Sequence, residues 1–274
     1  MKIDFQLNAS GIAQRLKNRG RSAAMLAYLS ARRRLNGKPL WIDNGRIRLP
    51  FHGDGDRQEL YYHLDGKVWW DKEMRLISPY LTQGDVVVDV GANLGFMSGI
   101  FSTLIGAKGR VYSFEPSPLV YSKLLQVITS NRYDNVSAYN LGCGSKDQSL
   151  VLHGSSSSGG ASLRPNPRSE NPAHGVQTVQ VVRLDDFLGP KLERLDFLKI
   201  DTEGFEDEVL LGAERTLERF MPVVYIELCS EYLNSSERSI AFLRGRGYIF
   251  DQDVNLSEAH DGTNFFALPP NFQR

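Results

Sequence analysis

The stretch Asp85-Val-Val-Val-Asp89-Val-Gly91-Ala92-Asn93-Leu-Gly95-Phe-Met-Ser98-Gly99 decides how the rest of the chain is read. Its β-branched run, Val86 to Val88 and then Val90, reads as a strand buried on both faces. Small residues follow, and after them an apolar helical pattern at Phe96, Ile100, Phe101 and Leu104. A strand, a glycine turn and a helix in that order let a ligand approach the backbone beside the positive end of the helix.

The spacing of the turn separates ligand classes. A dinucleotide fingerprint is G-x-G-x-x-G, whose second glycine makes room for a pyrophosphate. Here Asn93 stands at that second position, so the pattern is D-x-G-x-N-x-G and disfavours NAD. Asp89, near the end of the strand, suits a ligand that presents an amino group. The next unit, Arg110-Val-Tyr-Ser-Phe-Glu115-Pro116, is a second strand ending in a carboxylate, which can accept both hydroxyls of a ribose. Asp89 and Glu115 together point to a nucleoside carrying a charged amino acid in place of phosphates. S-adenosylmethionine fits that description.

The chain has 274 residues, enough for one large α/β domain with an N-terminal extension. Formal net charge is zero, so no global field argues for nucleic acid. The charge is uneven, however. Residues 1–38 hold nine Lys and Arg against the single acid Asp4, leaving an excess of eight acids beyond them. Two cysteines, Cys143 and Cys229, make neither a disulfide framework nor a zinc site. No apolar run approaches the roughly 20 residues of a membrane span. The expectation is a soluble, cytoplasmic protein, with the basic N-terminus open to peripheral contact with anionic lipid or to homodimer formation.

Residues 1–81 read as a helical and hairpin extension on the acceptor side or at a dimer contact, and residues 82–274 as the main domain. Ile12 to Leu35 has helical composition. Leu40 to Leu49 reads as a hairpin with a tight type I′ turn at Asn44-Gly45. Glu59 to Leu81 reads as one or two helices interrupted at Asp65-Gly66, dense in Tyr61, Tyr62, His63, Trp69 and Trp70. Such aromatics serve a core or a stacking wall for a sugar. From Asp85 onward strand and helix patterns alternate, which means a parallel sheet with right-handed crossovers. His153 to Gly175 is too rich in Ser, Gly and Pro to pack as an element, and reads as a lid, a substrate loop or a disordered segment. Strands return at Thr178–Val182, Asp196–Asp201, Val223–Leu228 and Asn264–Leu268, and one helix carries Val209, Leu210, Ala213 and Leu217.

The chain resembles the FkbM family of S-adenosylmethionine-dependent methyltransferases. The residues that carry the resemblance are Asp89-Val-Gly91-Ala-Asn93-Leu-Gly95, Phe114-Glu115-Pro116, Leu184-Asp185-Asp186-Phe-Leu188 and, most tellingly, Phe197-Leu-Lys199-Ile-Asp201-Thr-Glu203-Gly204-Phe-Glu206. It continues through Val209-Leu-Leu-Gly212-Ala213 and Pro222-Val-Val-Tyr-Ile-Glu227, and covers roughly Gly84 to Leu268. Thr202 departs mildly from the aliphatic residue usual there. The resemblance implies a Rossmann-like, class I α/β fold whose seven-stranded, mostly parallel sheet has its last strand antiparallel. It also implies methyl transfer to oxygen, with sugar hydroxyls of glycans or glycolipids, or natural products such as macrolides, as acceptors.

An in-line displacement at a sulfonium gains most from alignment, and an alcohol acceptor also needs a base. The cofactor set expected from the strand ends is Asp89, Gly91, Ala92, Asn93, Gly95, Glu115 and Pro116, with Asn140, Leu141 and Gly142 near the adenine. Asp201 is expected beside the methionine moiety and the acceptor. It is the candidate base, with Glu203 and Glu227 behind it. The competing reading makes Asp201 a cap for the helix beginning near Phe205, and Glu203 and Glu206 mere companions of its positive end. His153, His174 and His260 read as solvated loop residues. A metal could be built from Asp201, Glu203 and Glu227, but no His or Cys ligand spacing supports one. Two further readings stay open: methylation of a polyketide or other small-molecule hydroxyl, and a non-catalytic lipid-surface or assembly protein on the same fold.

Overall fold

The computed structural model describes residues 40–43, 45–52, 57–153, 161–164, 177–259 and 263–273. The basic stretch from Ile12 to Leu35, most of the polar loop from His153 to Gly175, and His174 and His260 lie outside the described residues. Among the described residues no helix is long and apolar enough to cross a membrane.

A hairpin of β1 (Leu40–Asp43) and β2 (Arg48–Phe51) and the helix α1 (Arg57–Ile77) precede the main sheet. Then come β3 (Val86–Val90), α2 (Phe96–Ile105), β4 (Arg110–Phe114), α3 (Pro118–Asn131) and β5 (Val136–Tyr139). Three strands follow, β6 (Gly142–Cys143), β7 (Gln148–Leu152) and β8 (Gln177–Val182), and a short helix α4 (Leu184–Phe187). The second half is β9 (Phe197–Ile200), α5 (Glu206–Gly212), α6 (Glu214–Phe220), β10 (Val223–Glu227), α7 (Leu233–Gly245), β11 (Ile249–Phe250) and β12 (Asn264–Leu268).

The central sheet has seven strands in the order β11-β12-β10-β9-β3-β4-β5. Its four inner pairings from β10 to β5 are parallel, and β12 runs antiparallel to both neighbours. The β-branched run at Val86–Val90 lies between β9 and β4, where both faces are covered. On one face Val88, Val90, Leu198, Ile200, Val224 and Ile226 pack with Leu210, Leu217 and Leu243 from the helices that follow β9 and β10. On the other, Val87, Val111, Phe197 and Val223 lie side by side under Phe101, Ile105 and Ile77. Each fully buried side chain of this kind is worth about 1.5–3 kcal/mol.

Three local expectations are corrected. Pairing of Asp43 with Arg48 leaves residues 44–47 as the hairpin connection, not a two-residue type I′ turn. Ile47 is drawn out of the ladder into a core patch with Leu49, Val120 and Val127. Asn131 of α3 locks this join, donating to the Arg48 carbonyl and accepting its N–H, both at 2.8 Å. Second, α1 runs unbroken through Asp65-Gly66. A mid-helix glycine costs only about 1 kcal/mol, and the C-terminal half of α1 is anchored by Trp70 edge-on to Phe96 and by buried Ile77.

Third, the single helix expected around Val209 to Leu217 is two helices meeting at Ala213. Asp185 explains the break: its carboxylate accepts from the N–H groups of Arg215 and Thr216, at 3.1 and 2.8 Å, and so starts a new helix from outside. Gly212 at the end of α5 lies against the Gly144 backbone, where a Cβ would come within 1.9 Å of the carbonyl oxygen. The strands β6, β7 and β8 stand apart from the main sheet and form a separate one in the order β6-β8-β7.

Candidate active site

The register of the parallel strands sets out the site in rows. Asp89 pairs with Ser113 on one side and Lys199 on the other, and Lys199 pairs with Tyr225. These four share a face, and all four are buried. Two residues further along each strand, on that face, come Gly91, Glu115, Asp201 and Glu227. A buried polar row therefore lies directly beneath the carboxyl edge of the sheet, where ligands of open α/β folds bind.

The glycine turn is held to both neighbouring strands. The N–H groups of Gly91 and Ala92 donate to the Phe114 carbonyl at 3.0 and 2.9 Å. Gly91 has φ +76°, and a Cβ there would fall 1.8 Å from the Asp201 carbonyl oxygen, so only glycine allows the contact. Asn93 occupies the left-handed region at φ 52°, and its side chain accepts the Leu94 N–H at 2.7 Å. Gly95, at φ +85°, opens α2 where a Cβ would strike Leu124.

Glu115 organises the adjoining turns. Its two oxygens accept from the N–H groups of Asn93 and Ser117 at 3.0 and 2.9 Å. Burial pushes its carboxyl up to about 7, against the pull of those two donors and of the Lys199 charge. Asn140 donates to the carbonyls of Glu115 and Pro116, both at 2.9 Å, and so fixes the strand end. Leu141 is half-buried and Gly142 buried beside it. Leu163 and Pro116 stand near the position a Gly142 Cβ would take.

Asp89 is fully buried behind this turn. Its Oδ2 accepts the Ser98 hydroxyl at 2.6 Å, and its Oδ1 lies 3.3 Å from the Lys199 ammonium. That ammonium also donates to the Gly91 carbonyl at 3.0 Å and stands 3.4 Å from Asp201 Oδ2. Burial alone would lower the Lys199 pKa, but the charges of Asp201 and Asp89 outweigh it and hold the pKa above the usual lysine value.

Asp201, Glu203 and Glu227 converge: each offers an oxygen within 4.8 Å of the others. The spacing would also suit a hard cation with oxygen ligands, although acids often converge without one. Asp201 is half-exposed and Glu227 buried. Burial, and then the charges of Asp201, Glu203 and Glu206, raise the Glu227 carboxyl well above its ordinary value. Glu203 sits at φ 54°, a conformation uncommon for a residue with a Cβ. The helix-cap reading of Asp201 does not describe the structure, since α5 begins with no side-chain cap. Glu206 holds this loop instead, accepting from the N–H groups of Thr202 and Gly204 at 2.9 and 3.1 Å.

A described piece of the polar loop closes over the same turn. The Ser162 hydroxyl donates to the Glu203 carbonyl at 2.6 Å, and Arg164 donates to Asp207 at 2.6 Å while lying over the Phe205 ring. His153 pairs with Ser162 in an isolated bridge. Trp70 is core, whereas Trp69 is half-buried under the Lys72 ammonium.

The strand-end acids named from the sequence lie together along one edge, but four residues of the arrangement were given no role or a lesser one. Lys199 carried a signal, being a lone cation inside the apolar run Phe-Leu-Lys-Ile and two residues before Asp201. Glu206 was placed only as a companion of the helix start. Ser162 and Arg164 had no pattern to reveal them.

The sequence profile of the methyltransferase FkbM domain matches residues 89–250. "Methyltransferase 1" of Beauveria bassiana is 30% identical over 161 residues, which are 52% of this chain and 64% of that protein. The hexuronic acid methyltransferase AglP of Haloferax volcanii is 31% identical over 154 residues, 53% of this chain and 56% of that protein. The chain thus spans less than two thirds of the length of either relative. The crystal structure of an FkbM methyltransferase from Methylobacillus flagellatus superposes with a TM-score of 0.49 at 18% identity, over 68% of this chain and 44% of that one.

Proposed function

Because this chain belongs to the FkbM family of S-adenosylmethionine-dependent methyltransferases, with their class I α/β fold, we propose that it methylates oxygen, on a sugar hydroxyl of a glycan or glycolipid. The observation that carries this reading is the row of Glu115, Gly91, Asp201 and Glu227 on four adjacent strand ends. A nucleoside end and a hydroxyl-acceptor end share one edge.

The residues fit the cofactor. Glu115 already takes two N–H donors, and its remaining lone pairs can accept the two hydroxyls of a ribose. Asn140 and the Leu141–Gly142 backbone lie on that side. Asp201, half-exposed and close to the Gly91 turn, would hold the ammonium of the methionine moiety and the acceptor hydroxyl. When bound, S-adenosylmethionine would supply an electrophilic methyl group on a positively charged sulfur, which would keep the bonding pair as a neutral sulfide. Asp201 would accept the proton that the acceptor hydroxyl gives up. Glu227 keeps its own proton beside Asp201 and orients the pair, and Glu203 lines the acceptor side. Asp89 supports the turn from behind through Ser98 and Lys199.

The sugar acceptor is favoured by two things: a polar, acid-lined edge with hydroxyl-accepting groups, and the likeness to a relative named for hexuronic acid. The test is a screen with S-adenosylmethionine against neutral glycans, hexuronic-acid glycans, glycolipids and macrolides, following formation of S-adenosylhomocysteine and locating the new methyl by NMR. An O-methyl sugar is the expected product. A methyl on nitrogen or carbon overturns the oxygen reading, and turnover of macrolides alone overturns the sugar reading. Contact of the basic residues 1–38 with anionic lipid is a separate proposal. Co-sedimentation with phosphatidylserine vesicles, lost on deleting those residues, tests it.

A further inference from the structure

We propose that Lys199 is the positioning residue of this site, joining the cofactor turn to the acceptor acid; the inference rests on the methyltransferase reading above. Lys199 is 2% exposed in the middle of β9, between Leu198 and Ile200, which are wholly buried. An ammonium at that depth is costly unless it is paired and hydrogen-bonded. A leucine or methionine would fill the same space without that cost, so packing alone does not call for lysine.

Its contacts supply the reason. The ammonium reaches three separate pieces of the molecule: the strand floor through Asp89 at 3.3 Å, the glycine turn through the Gly91 carbonyl at 3.0 Å, and the acceptor acid through Asp201 at 3.4 Å. Asp89 Oδ1 has no hydrogen-bond partner, so the Lys199 charge is what compensates its burial. Gly91 and Asp201 touch backbone to backbone directly above, where a Cβ on Gly91 would collide. One cation therefore fixes the junction at which the two halves of the site meet. Glu115 and Glu73 also feel its charge, and Tyr225 lies beside it in the strand register. Without the cation, the Gly91 carbonyl and the Asp201 carboxylate lose the group that joins them.

Calorimetry with S-adenosylhomocysteine on wild type, Lys199→Gln, Asp201→Asn and the double variant tests this. Glutamine can still donate to the Gly91 carbonyl but carries no charge. Lys199→Gln should weaken binding about tenfold or more, and in the Asp201→Asn background, where no carboxylate remains to be held, the deficit should shrink to a few-fold. A deficit that is absent, or undiminished in the Asp201→Asn background, overturns the proposal, and Lys199 is then a packing residue or one acting through Glu115. Should Lys199→Gln fail to fold, Asp89→Asn with Lys199→Gln removes both buried charges and carries the same measurement. Failure of wild type to bind S-adenosylhomocysteine would overturn the methyltransferase reading itself, and this inference with it.

Discussion

Glu115 and Glu227 stand on the same face of one sheet, at the ends of β4 and β10, and are about equally buried, at 7% and 6% exposure. Burial is the largest influence on both carboxyls and raises both. Their neighbours then part them. Glu115 receives two backbone N–H groups and feels the Lys199 charge, so its carboxyl settles at about 7. Glu227 has Asp201, Glu203 and Glu206 around it and rises well beyond the ordinary glutamate value. Depth makes each acid hold its proton, and the sign of the surroundings decides which can release it near neutrality. The Glu115 flank thus suits ribose hydroxyls, which need an ionised acceptor, and the Glu227 flank suits a neutral partner for Asp201.

Between the two flanks lies Asp201, whose loss should have the largest effect. Asp201→Asn removes the proposed base while keeping shape, and turnover on an accepted glycan should fall by about 10²–10⁴. Steady-state rates check it. A loss below tenfold would transfer the base role to Glu203 and shift the chemistry toward the Glu227 side.

Glu115→Gln comes next, with two readouts that separate binding from stability. Charge-assisted hydrogen bonds are worth about 1.5–3 kcal/mol, so S-adenosylhomocysteine should bind roughly 10–100-fold more weakly at about pH 8. For stability, the folded carboxyl holds its proton up to about 7, where the ordinary value is 4.5. The stabilisation is therefore complete below 4.5 and lost as pH rises through about 7. The difference corresponds to about 3 kcal/mol, as an order of magnitude. Urea unfolding of wild type at several pH values should show that decline, and Glu115→Gln should flatten it. Ligand binding should in turn release a proton from wild type below about pH 7, because the ribose selects the ionised form. An unchanged slope in the variant would mean that Glu115 titrates as an ordinary glutamate, and its contrast with Glu227 would disappear.

How much of this was legible in the sequence follows from which forces act locally. The strand at Val86–Val90 and the helices at Phe96–Ile105 and Pro118–Asn131 could be read because apolar periodicity writes itself into neighbouring residues. Glu115, Asp201 and Glu227 could be found because each follows an apolar strand. The break at Ala213 could not, since the group responsible is Asp185, about thirty positions upstream and capping from another element. Nor could the departure of β6, β7 and β8 into their own sheet, because periodicity describes a strand and not its partner. The spacing that makes Asp89 a cofactor candidate gives no sign that Ser98 and Lys199 hold it. The charges of the site depend on cross-strand register, and register becomes visible only when the sheet is assembled.

Glu227→Gln should give the smallest effect. If Glu227 retains its proton, an amide of the same shape replaces a group that is already neutral and still able to donate to Asp201. Turnover should then fall less than tenfold, and stability near neutral pH should change by about 1 kcal/mol or less, as for a near-isosteric replacement. The pH dependence carries the distinction. A raised carboxyl keeps its stabilisation below the ordinary value and loses it as pH climbs through the folded one. Wild type should therefore weaken on the alkaline side while Glu227→Gln does not, so the variant gains on wild type as pH rises above the ordinary glutamate value. Chemical denaturation over a pH series measures the difference. A variant much less stable than wild type near neutral pH would mean that Glu227 is charged in the fold and paid for by a cation. Burial among acids would then not be what sets it apart from Glu115.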